Sequence, residues 1–420
     1  MMYRKICSRL LRNEAGNTAI ITAFVLSALV GTAGLGTDTI QWTLWKRQLQ
    51  READSAALAG ALANYQGYNG TEAATTEIQR YNYITLSAAP IVEIGPSTGA
   101  YAGDPKAVRV VVKSSKTLPF SKLFLQTSPT IVGEATAAAI GYGNYCVVSL
   151  EKTTATGVSF QGSASLNMGC GVVTNSQGST AVDAGGSSTI VASPIAAVGG
   201  IPASGNYASG TVLQPYSSAQ ADPFGTLPTP TVPGGCNTPL NVQPNQTQNV
   251  TNSTGVRCFS HIDIKGTAHF DPGVYYIDGG DFSAGAQANI SGSGVTFVLT
   301  SSTAATNGSS VATLDFNGGA TLDLTAPGSG TYAGVLFYQD RRATSGTTNF
   351  LTGNSSSLIQ GAVYFPSQTL QFTGNSGMNT NCMKLVARNL VFTGNSTISN
   401  VCPSDSGTPT ITGVHIRLVS

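Results

Sequence analysis

The chain has 420 residues, and only 10% of them are charged, which is less than half of the roughly 25% that is typical of soluble globular proteins. A formal net charge of +1 does not provide the positive field that binds a phosphate backbone, so nucleic-acid binding is disfavoured. The 41% of hydrophobic residues exclude wholesale disorder. With 49 glycines, this composition is typical of a β-rich extracytoplasmic protein.

The first predicted element is an apolar stretch without charges at residues 15–37. As a helix it would rise about 34 Å, which is enough to cross the hydrocarbon core of a bilayer. The segment before it, residues 1–14, contains an excess of basic side chains: Arg4, Lys5, Arg9 and Arg12. Because such an excess marks the cytoplasmic side, we predict a single-pass protein whose N-terminus is cytoplasmic.

A cleaved signal peptide is the alternative interpretation of the same stretch. Gly31, Ala33 and Gly34 could form a small-residue cleavage site. However, the stretch is longer than a typical signal core, and the helical pattern continues beyond it. An uncleaved anchor is therefore favoured.

Beyond the apolar stretch, residues at spacings of three and four form one stripe along a helix: Trp42, Trp45, Leu49, Ala53, Ala56 and Gly60. Trp42 and Trp45 lie where interfacial aromatic residues are common, and core packing would explain them equally well. The small residues would let another helix approach closely. The sequence thus predicts one long helix, half in lipid and half outside.

Two stretches of this region carry a resemblance to a known family. Residues 16–21 are GNTAII, and residues 49–61 are LQREADSAALAGA. Together with the apolar stretch, they resemble the N-terminal segment of Tad (Flp) pilus-assembly proteins of the TadE/TadG-like group. The resemblance implies a protein of the bacterial inner membrane that is exported and serves the assembly of an adhesive surface pilus.

The resemblance also bears on cleavage of the N-terminus. Pilins of the family are cut after a Gly and have a Glu five residues into the mature chain. Gly16 matches the first position, but Ile21 stands at the second. The chain is therefore more similar to the uncleaved, TadG-like members.

Residues 38–143 are predicted to form a TadE/TadG-like helix plus a small α/β domain. Residues 71–83 have the apolar spacing of a second helix. Residues 107–113 alternate valines with basic side chains, which is typical of a half-buried strand, and residues 130–139 suggest another strand.

Residues 146–420 contain a short repeat of the form apolar-x-apolar-x-Gly-x-small-x-apolar, with copies that begin at residues 158, 262, 314, 370 and 390 and a looser copy at 349. Three equivalent glycines lie 21 and 20 residues apart, which is typical of one coil of a parallel β-helix. Asn after each Gly could stack as an amide ladder between coils. The residues predicted to mark the repeat turns are Gly353, Asn354, Gly374, Asn375, Gly394 and Asn395.

The predicted fold is therefore mainly β: a long N-terminal helix, a small α/β domain, and a parallel β-helix (solenoid). A Gly-rich β-sandwich with repeated hairpins is the alternative. Nine of the 19 prolines fall in residues 194–244, which we call the Pro-rich segment. It is predicted to be a long irregular excursion from the solenoid.

Six of the seven cysteines lie in the C-terminal region without a C-x-x-C motif or zinc-like spacing, which favours disulfides in an oxidising compartment. When the six are paired in chain order, the two cysteines of each pair are separated by about one repeat. Strands of neighbouring coils lie about 4.8 Å apart, which is within reach of a disulfide. Cys7, on the cytoplasmic side, should stay a free thiol. The predicted pairs are Cys146 with Cys170, Cys236 with Cys258, and Cys382 with Cys402.

Catalytic motifs of hydrolases, NTPases and dinucleotide-binding enzymes are missing from the sequence. Asp278, Asp281, Asp315 and Asp323 are the candidate carboxylates, since a glycosidase needs two carboxyl groups about 5–9.5 Å apart. Turn-forming Asp is the commoner explanation of Asp278 and Asp281. The three histidines lack metal-ligand spacing: His261, His269 and His415. We expect no enzymatic activity, no cofactor and no metal.

The sequence and the resemblance together predict a membrane-anchored extracytoplasmic component of Tad/Flp-type pilus assembly, with a structural and adhesive role and a periplasmic or cell-surface C-terminal domain. Expected partners are other Tad components, with a pilin among the candidates, and the lipid bilayer. The alternative is a membrane-anchored β-helix that binds or cleaves a surface carbohydrate. That alternative requires exposed aromatic platforms, for which the candidates are Tyr275, Tyr276, Tyr332, Phe337, Tyr338, Tyr364 and Phe365.

Overall fold

The computed structural model describes residues 14–80, 83–123, 125–167, 169–234, 236–374, 379–398 and 406–419. The described part is mainly β, as predicted, with 25 strands and two α-helices. It divides into two compact units. Unit 1 comprises Met1–Ile140 with His415–Ser420, and unit 2 comprises Gly141–Val414.

The long predicted helix is present as α1, Glu14–Tyr65. Its part Ile20–Tyr65 is the one described helical segment that is long and apolar enough to cross a membrane, judged by length and composition. Its large apolar side chains are exposed over the whole N-terminal half: Ile20, Ile21, Phe24, Val25, Leu26, Leu29, Val30, Leu35, Ile40 and Leu44.

The second helix, α2, spans Gly70–Arg80 and is shorter than the predicted 71–83. Its start is capped by Asn69, whose Oδ1 accepts a hydrogen bond from the backbone N–H of Glu72 at 3.1 Å. Ala74 and Ile78 form its buried face, as their spacing predicts.

Three strands complete the core of unit 1. They are β1 (Ile91–Ile94), β2 (Ala107–Ser115) and the first part of β3 (Thr130–Ser149), all paired antiparallel. A short 3-10 helix, Ser121–Leu123, lies between β2 and β3. The valines that alternate along β2 pack against the two helices, because their side chains share one face of the strand: Val108, Val110 and Val112.

Unit 2 is built from many short strands and two long ones, β23 and β24. In chain order they are β4 (Val158–Asn167), β5 (Gly171–Thr174), β6 (Val182–Ala184), β7 (Thr189–Val191), β8 (Ile195–Ala197), β9 (Leu213–Gln214), β10 (Leu240–Val242), β11 (Thr247–Val250), β12 (Val256–Phe259), β13 (Ile262–Ile264), β14 (Thr267–Phe270), β15 (Gly273–Asp278), β16 (Asp281–Ala284), β17 (Asn289–Ser293), β18 (Val295–Thr300), β19 (Thr313–Phe316), β20 (Thr321–Thr325), β21 (Val335–Gln339), β22 (Thr348–Gly353), β23 (Leu358–Gly374), β24 (Asn379–Ile398) and β25 (Ile411–Leu418). The last strand extends into unit 1.

Each strand from β10 to β20 pairs in parallel with the strand three places further along the chain, and β21 and β22 both pair with the long strand β23. One such ladder aligns the inward apolar residues Leu240, Ile262, Phe282 and Leu314. All four are buried in one hydrophobic core. The parallel pairing thus repeats at an interval of three strands, and the paired strands stack on one another.

The order of stacking does not follow the order of the chain. β24 pairs with β23 on one side and with β3 and β4 on the other. The turns built from β3 to β9 thus continue the stack beyond the last long strand. By this pairing order, β9 and β10 belong to opposite ends of the stack, and the chain between them, within the Pro-rich segment, connects those ends.

The Pro-rich segment differs in part from its prediction. It is mostly irregular, but β8, β9 and β10 lie within its limits. These strands are two or three residues long, too short for an alternating pattern to reveal them in sequence, and they form because a neighbouring strand supplies the hydrogen bonds.

Candidate functional site

The half of α1 that follows the apolar stretch is packed through small residues. Leu49, Ala53, Ala56 and Ala57 are fully buried and contact the apolar faces of α2 and β2. Leu49, Ala53 and Ala56 belong to the stripe that the sequence predicts. The helix that approaches this small-residue face is the chain's own α2.

Two glycines of the two helices lie against each other. A Cβ built on Gly70 would lie 2.7 Å from the carbonyl oxygen of Gly60, so a side chain there would push the helices apart. On β3, a Cβ on Gly133 would lie 2.3 Å from the carbonyl oxygen of Leu49. The strand backbone therefore rests directly on the helix.

Polar contacts complete this interface. The Ser55 hydroxyl donates to Glu77 Oε1 of α2 at 2.6 Å, and Gln50 Nε2 donates to the Glu134 carbonyl oxygen of β3 at 2.6 Å. On the sheet, Arg109 forms ion pairs with Glu93 at 2.9 Å and with Glu134 at 2.7 Å. The C-terminal half of α1 is thus held by both apolar and polar contacts.

A groove of about 360 Å³ runs along the same half of α1 and is lined by Gln48, Arg51, Glu52, Ser55 and Tyr83. Glu52 is only 3% exposed. Burial raises its pKa above the ordinary value, and the hydrogen bond that Gln48 donates lowers it by less. Glu52 is thus a buried carboxyl group that lines a groove on α1.

The helix with this packing is recognised by a protein-family comparison. Residues 16–63 match the family described as Putative Flp pilus-assembly TadE/G-like. This segment of the chain is similar to the Tad family, and we call residues 16–63 the Tad segment. The match confirms the resemblance predicted from the sequence and supports a role in pilus assembly. No curated protein and no solved structure matches the chain significantly.

The Tad segment, residues 16–63, covers most of α1. It therefore contains both the exposed apolar stretch and the buried small-residue face. The described disulfide cysteines, the repeat-turn residues and the four candidate carboxylates lie in unit 2, outside the matched segment.

Two disulfides join the pairs Cys146–Cys170 and Cys236–Cys258, with Cα–Cα distances of 5.8 Å and 4.8 Å. Both pairs are those that the repeat length predicts. Cys382 is buried and disulfide-bonded. Its predicted partner, Cys402, lies outside the described residues, and so does Cys7.

The repeat glycines lie in register. Gly353 pairs with Gly374, which pairs with Gly394, so copies of the repeat stack directly on one another. Asn354 Nδ2 donates to Gly319 O at 3.2 Å and Thr321 Oγ1 at 2.7 Å, in the turn of the previous copy. Asn375 and the side chain of Asn395 lie outside the described part, so the amide ladder stays a prediction.

The four candidate carboxylates are spread over different strands. Asp278 accepts a hydrogen bond from the Ser302 backbone N–H at 2.6 Å, and Asp281 accepts one from the Thr313 hydroxyl at 2.5 Å. Asp315 and Asp323 are exposed on β19 and β20, which belong to different ladders. Asp278 thus accepts from a turn, and Asp281 accepts from its paired residue on the adjacent strand.

His269 has a close polar neighbour. Its Nδ1 lies 2.6 Å from the Ser291 hydroxyl on the adjacent strand, in a groove of about 290 Å³. Asp323 is in register with Ser291 on the far side from His269, so it does not orient the imidazole as the acid of a catalytic triad does. Residues His261 and His415 lie elsewhere, and no cluster of three metal-binding side chains occurs among the described residues.

The candidate sugar platforms are mostly core residues. Among the seven aromatics, Tyr275, Phe337, Tyr338, Tyr364 and Phe365 are fully buried, and Tyr332 is 5% exposed. Tyr276 is half-buried. Tyr276 and Tyr332 line a cleft of about 460 Å³ together with Pro228, Pro230 and Pro327.

One polar cluster was not predicted from the sequence. Tyr364 donates to Asp222 Oδ2 at 2.7 Å and accepts from Arg341 Nε at 2.8 Å. Arg341 also donates to the carbonyl oxygens of Phe224 and Leu227. The only signals in the sequence are the adjacent acidic and basic residues at 340–342 and the Asp-Pro pair at 222–223, and neither indicates which partner it meets.

The neighbouring Arg342 strengthens the same cluster. Its guanidinium pairs with Asp340 at 2.6 Å and donates to the Pro230 carbonyl oxygen at 3.0 Å. Burial alone would raise the pKa of Asp340, but the hydrogen bonds from Arg342 and Thr300 outweigh burial and lower it. Both arginines thus attach the Pro-rich segment to the stacked strands, which gives them a structural role.

Proposed function

We propose that this protein is a membrane-anchored, extracytoplasmic component of Tad/Flp-type pilus assembly. The observation that carries the proposal is the coincidence of the Tad match at residues 16–63 with a helix whose N-terminal half exposes its apolar side chains and whose C-terminal half is packed into a folded unit. Exposed Leu, Ile and Phe side chains at this density are stable in lipid and costly in water.

The proposed orientation follows from charge. Arg4, Lys5, Arg9 and Arg12 precede the apolar stretch, and the positive-inside rule assigns such a segment to the cytoplasm. Unit 2 would then lie in the periplasm or at the cell surface. The disulfides Cys146–Cys170 and Cys236–Cys258 support that side, because disulfides persist in oxidising compartments.

We propose further that unit 2 is a parallel β-helix that serves as a structural and adhesive surface. The support is the parallel pairing of each strand with the third strand after it, and the alignment of the repeat glycines. A sandwich of hairpins would require antiparallel pairs instead. A solenoid offers an extended surface for contacts with other pilus components.

The proposed role needs no catalysis. Asp278 accepts a hydrogen bond from the turn at Ser302 and Asp281 accepts one from Thr313 on the adjacent strand, whereas Asp315 and Asp323 lie on separate ladders. Structural contacts of this kind support a role without catalysis. The expected partners are other Tad components, including a pilin, and the bilayer.

Deletion of the gene followed by imaging of surface pili tests the proposal. We expect the deletion strain to lose pili or attachment, and the full chain to restore both. The variant in which Asp278, Asp281, Asp315 and Asp323 are all replaced by Asn should also restore them. Normal piliation of the deletion strain would refute the pilus role, and failure of a folded fourfold variant would favour an enzyme.

A carbohydrate-binding function is the second candidate, and the cleft beside Tyr276 and Tyr332 favours it. Aromatic platforms in clefts are a common element of sugar sites. Glycan-array binding by the wild-type protein that is lost in Tyr276→Ala would support this function. Absence of binding would leave the structural role alone.

A further inference from the structure

A loop of unit 1 is attached to α1 at the end of the charge-free stretch. The Phe120 ring lies on Gly34, where a Cβ would be only 2.2 Å from Phe120 Cδ1. Asp38 accepts hydrogen bonds from the backbone N–H groups of Phe120, at 3.1 Å, and of Ser121. We call residues 117–123 and 125–127, the described part of this segment, the docked loop.

The contact with Asp38 determines where the docked loop lies along α1. Asp38 is the first charged residue after the apolar stretch, yet it is only 3% exposed. Hydrogen bonds from backbone N–H groups to a carboxylate are charge-assisted and strong. Gly34 lies about one helical turn, or about 6 Å, before Asp38 and is part of the apolar stretch. Phe120 therefore contacts the helix inside the charge-free region.

The docked loop exposes two leucines close to these contacts. Leu123 is 76% exposed and Leu125 is 46% exposed. An exposed Leu by itself is common on soluble proteins. Here, however, the contacts on α1 are Gly34 and Asp38, and Leu35 and Ile40 near them in the chain are exposed as well. The loop thus exposes apolar side chains close to the point where it is attached to the proposed membrane span.

The surrounding residues are those of a membrane interface. Lys122 lies beside Leu123 in the 3-10 helix, and Lys116 Nζ lies 5.9 Å from the ring centroid of Trp45. Trp at this depth and Lys with its amine toward the headgroups are typical of the lipid–water boundary. The first basic residue of α1 after Asp38 is Lys46, eight residues or about 12 Å further along the helix.

We propose that the docked loop is a second membrane contact, in which Leu123 and Leu125 enter the hydrocarbon edge of the outer leaflet beside α1 and Lys122 contacts anionic headgroups. The occupant of this surface is lipid, and the inference rests on the proposed membrane anchoring. The loop would hold unit 1 at a defined height on the bilayer, because Asp38 ties it to the helix.

Depth measurements on spin-labelled full-length protein test this inference. In a Cys7→Ser background, single cysteines are introduced by Leu123→Cys and, independently, Leu125→Cys. Tyr68→Cys is the matched water control, because Tyr68 is 72% exposed and follows the other end of α1. Leu29→Cys, 60% exposed within the apolar stretch, is the lipid control. The protein is placed in vesicles of phosphatidylethanolamine and phosphatidylglycerol.

We expect labels at positions 123, 125 and 29 to collide more with oxygen, which partitions into lipid, than with a water-soluble nickel chelate. The label at position 68 should show the reverse. Water accessibility at 123 and 125 with lipid accessibility at 29 would overturn the loop contact and leave the anchor intact. Water accessibility at all four sites would refute the anchor itself. Shielding of 123 and 125 from both reagents would also overturn the inference, because protein would then occupy the surface.

Discussion

Glu151 and Arg388 are 237 residues apart in the chain and form an ion pair at 2.8 Å between Arg388 Nε and Glu151 Oε2. Glu151 follows β3, which enters unit 2, and Arg388 lies in β24, near the end of that unit. The Ser149 hydroxyl also donates to the Arg388 carbonyl oxygen at 2.8 Å. Strand β3, with which the chain enters unit 2, and strand β24, near the end of that unit, are thus joined side by side.

We expect Arg388→Met to destabilise unit 2 by about 1–3 kcal/mol, because it leaves the nearly buried Glu151 carboxylate without its charged partner. The matched control is Lys265→Met, which removes the exposed pair with Asp263 at 2.9 Å and should change stability by about 0.5 kcal/mol or less. Denaturant unfolding of the two variants checks this. Equal effects would contradict the special role of the closing contact.

The same pair implies a pH dependence in acid. Burial alone would raise the pKa of Glu151, but hydrogen bonds from Thr153 and Arg388 outweigh it and lower the pKa. A lowered pKa in the folded state stabilises the protein above the ordinary Glu pKa, and this contribution is lost as the pH falls below it. Arg388→Met should reduce the loss of stability on acidification.

Glu52 should show the opposite dependence. Burial raises its pKa, so folding favours the protonated form, and stability decreases as the pH rises from the ordinary Glu pKa through the raised one. Glu52→Gln should remove this decrease and leave unit 1 at least as stable at neutral pH. Hydrogen exchange of α1 and α2 as a function of pH measures it. An unchanged pH profile in the variant would show that Glu52 is not the titrating group.

Gly133 should be sensitive to the smallest substitution. In Gly133→Ala the new methyl group would meet the Leu49 carbonyl oxygen, so we expect a loss of about 1–3 kcal/mol in unit 1. Gly36→Ala is the control, because a Cβ there meets nothing within 4 Å and Ala favours the helix. Protease resistance of unit 1 distinguishes the two variants. Equal resistance would contradict the close strand–helix contact.

The third disulfide remains a prediction from the repeat length. Non-reducing peptide mapping should find a Cys382 peptide linked to a Cys402 peptide, with Cys7 as a free thiol. The pairs Cys146–Cys170 and Cys236–Cys258 provide internal controls in the same digest. A Cys382 peptide joined to any other cysteine would refute the sequential pairing.

Local patterns were sufficient to predict the longer and more regular elements. The charge-free stretch and the stripe from Trp42 to Gly60 predict α1, and the alternating valines predict β2, because periodicity reports the burial of each face. The spacing of Gly353, Gly374 and Gly394 predicts that these glycines lie in register. They are paired with one another in the parallel strands β22, β23 and β24.

Contacts between distant parts of the chain could not be predicted in this way. A parallel strand can accept any strand with a compatible pattern, so the repeat does not reveal that β24 pairs with β3 and β4 as well as with β23. The same holds for Asp222 and Tyr364, which lie 142 residues apart. For the candidate site, sequence identified the Tad segment but not Glu52 or the docked loop, whose environments depend on tertiary packing.

Piliation by a released form of the protein tests the central claim most directly. In this variant, residues 1–37 are replaced by a cleavable signal peptide, so that the remaining chain is exported without an anchor. Formation of the disulfides Cys146–Cys170 and Cys236–Cys258 would verify that unit 2 is folded. We predict that the released protein fails to restore pili in the deletion strain, whereas the full chain restores them. Normal piliation by the released protein would contradict the account of a membrane-anchored assembly component.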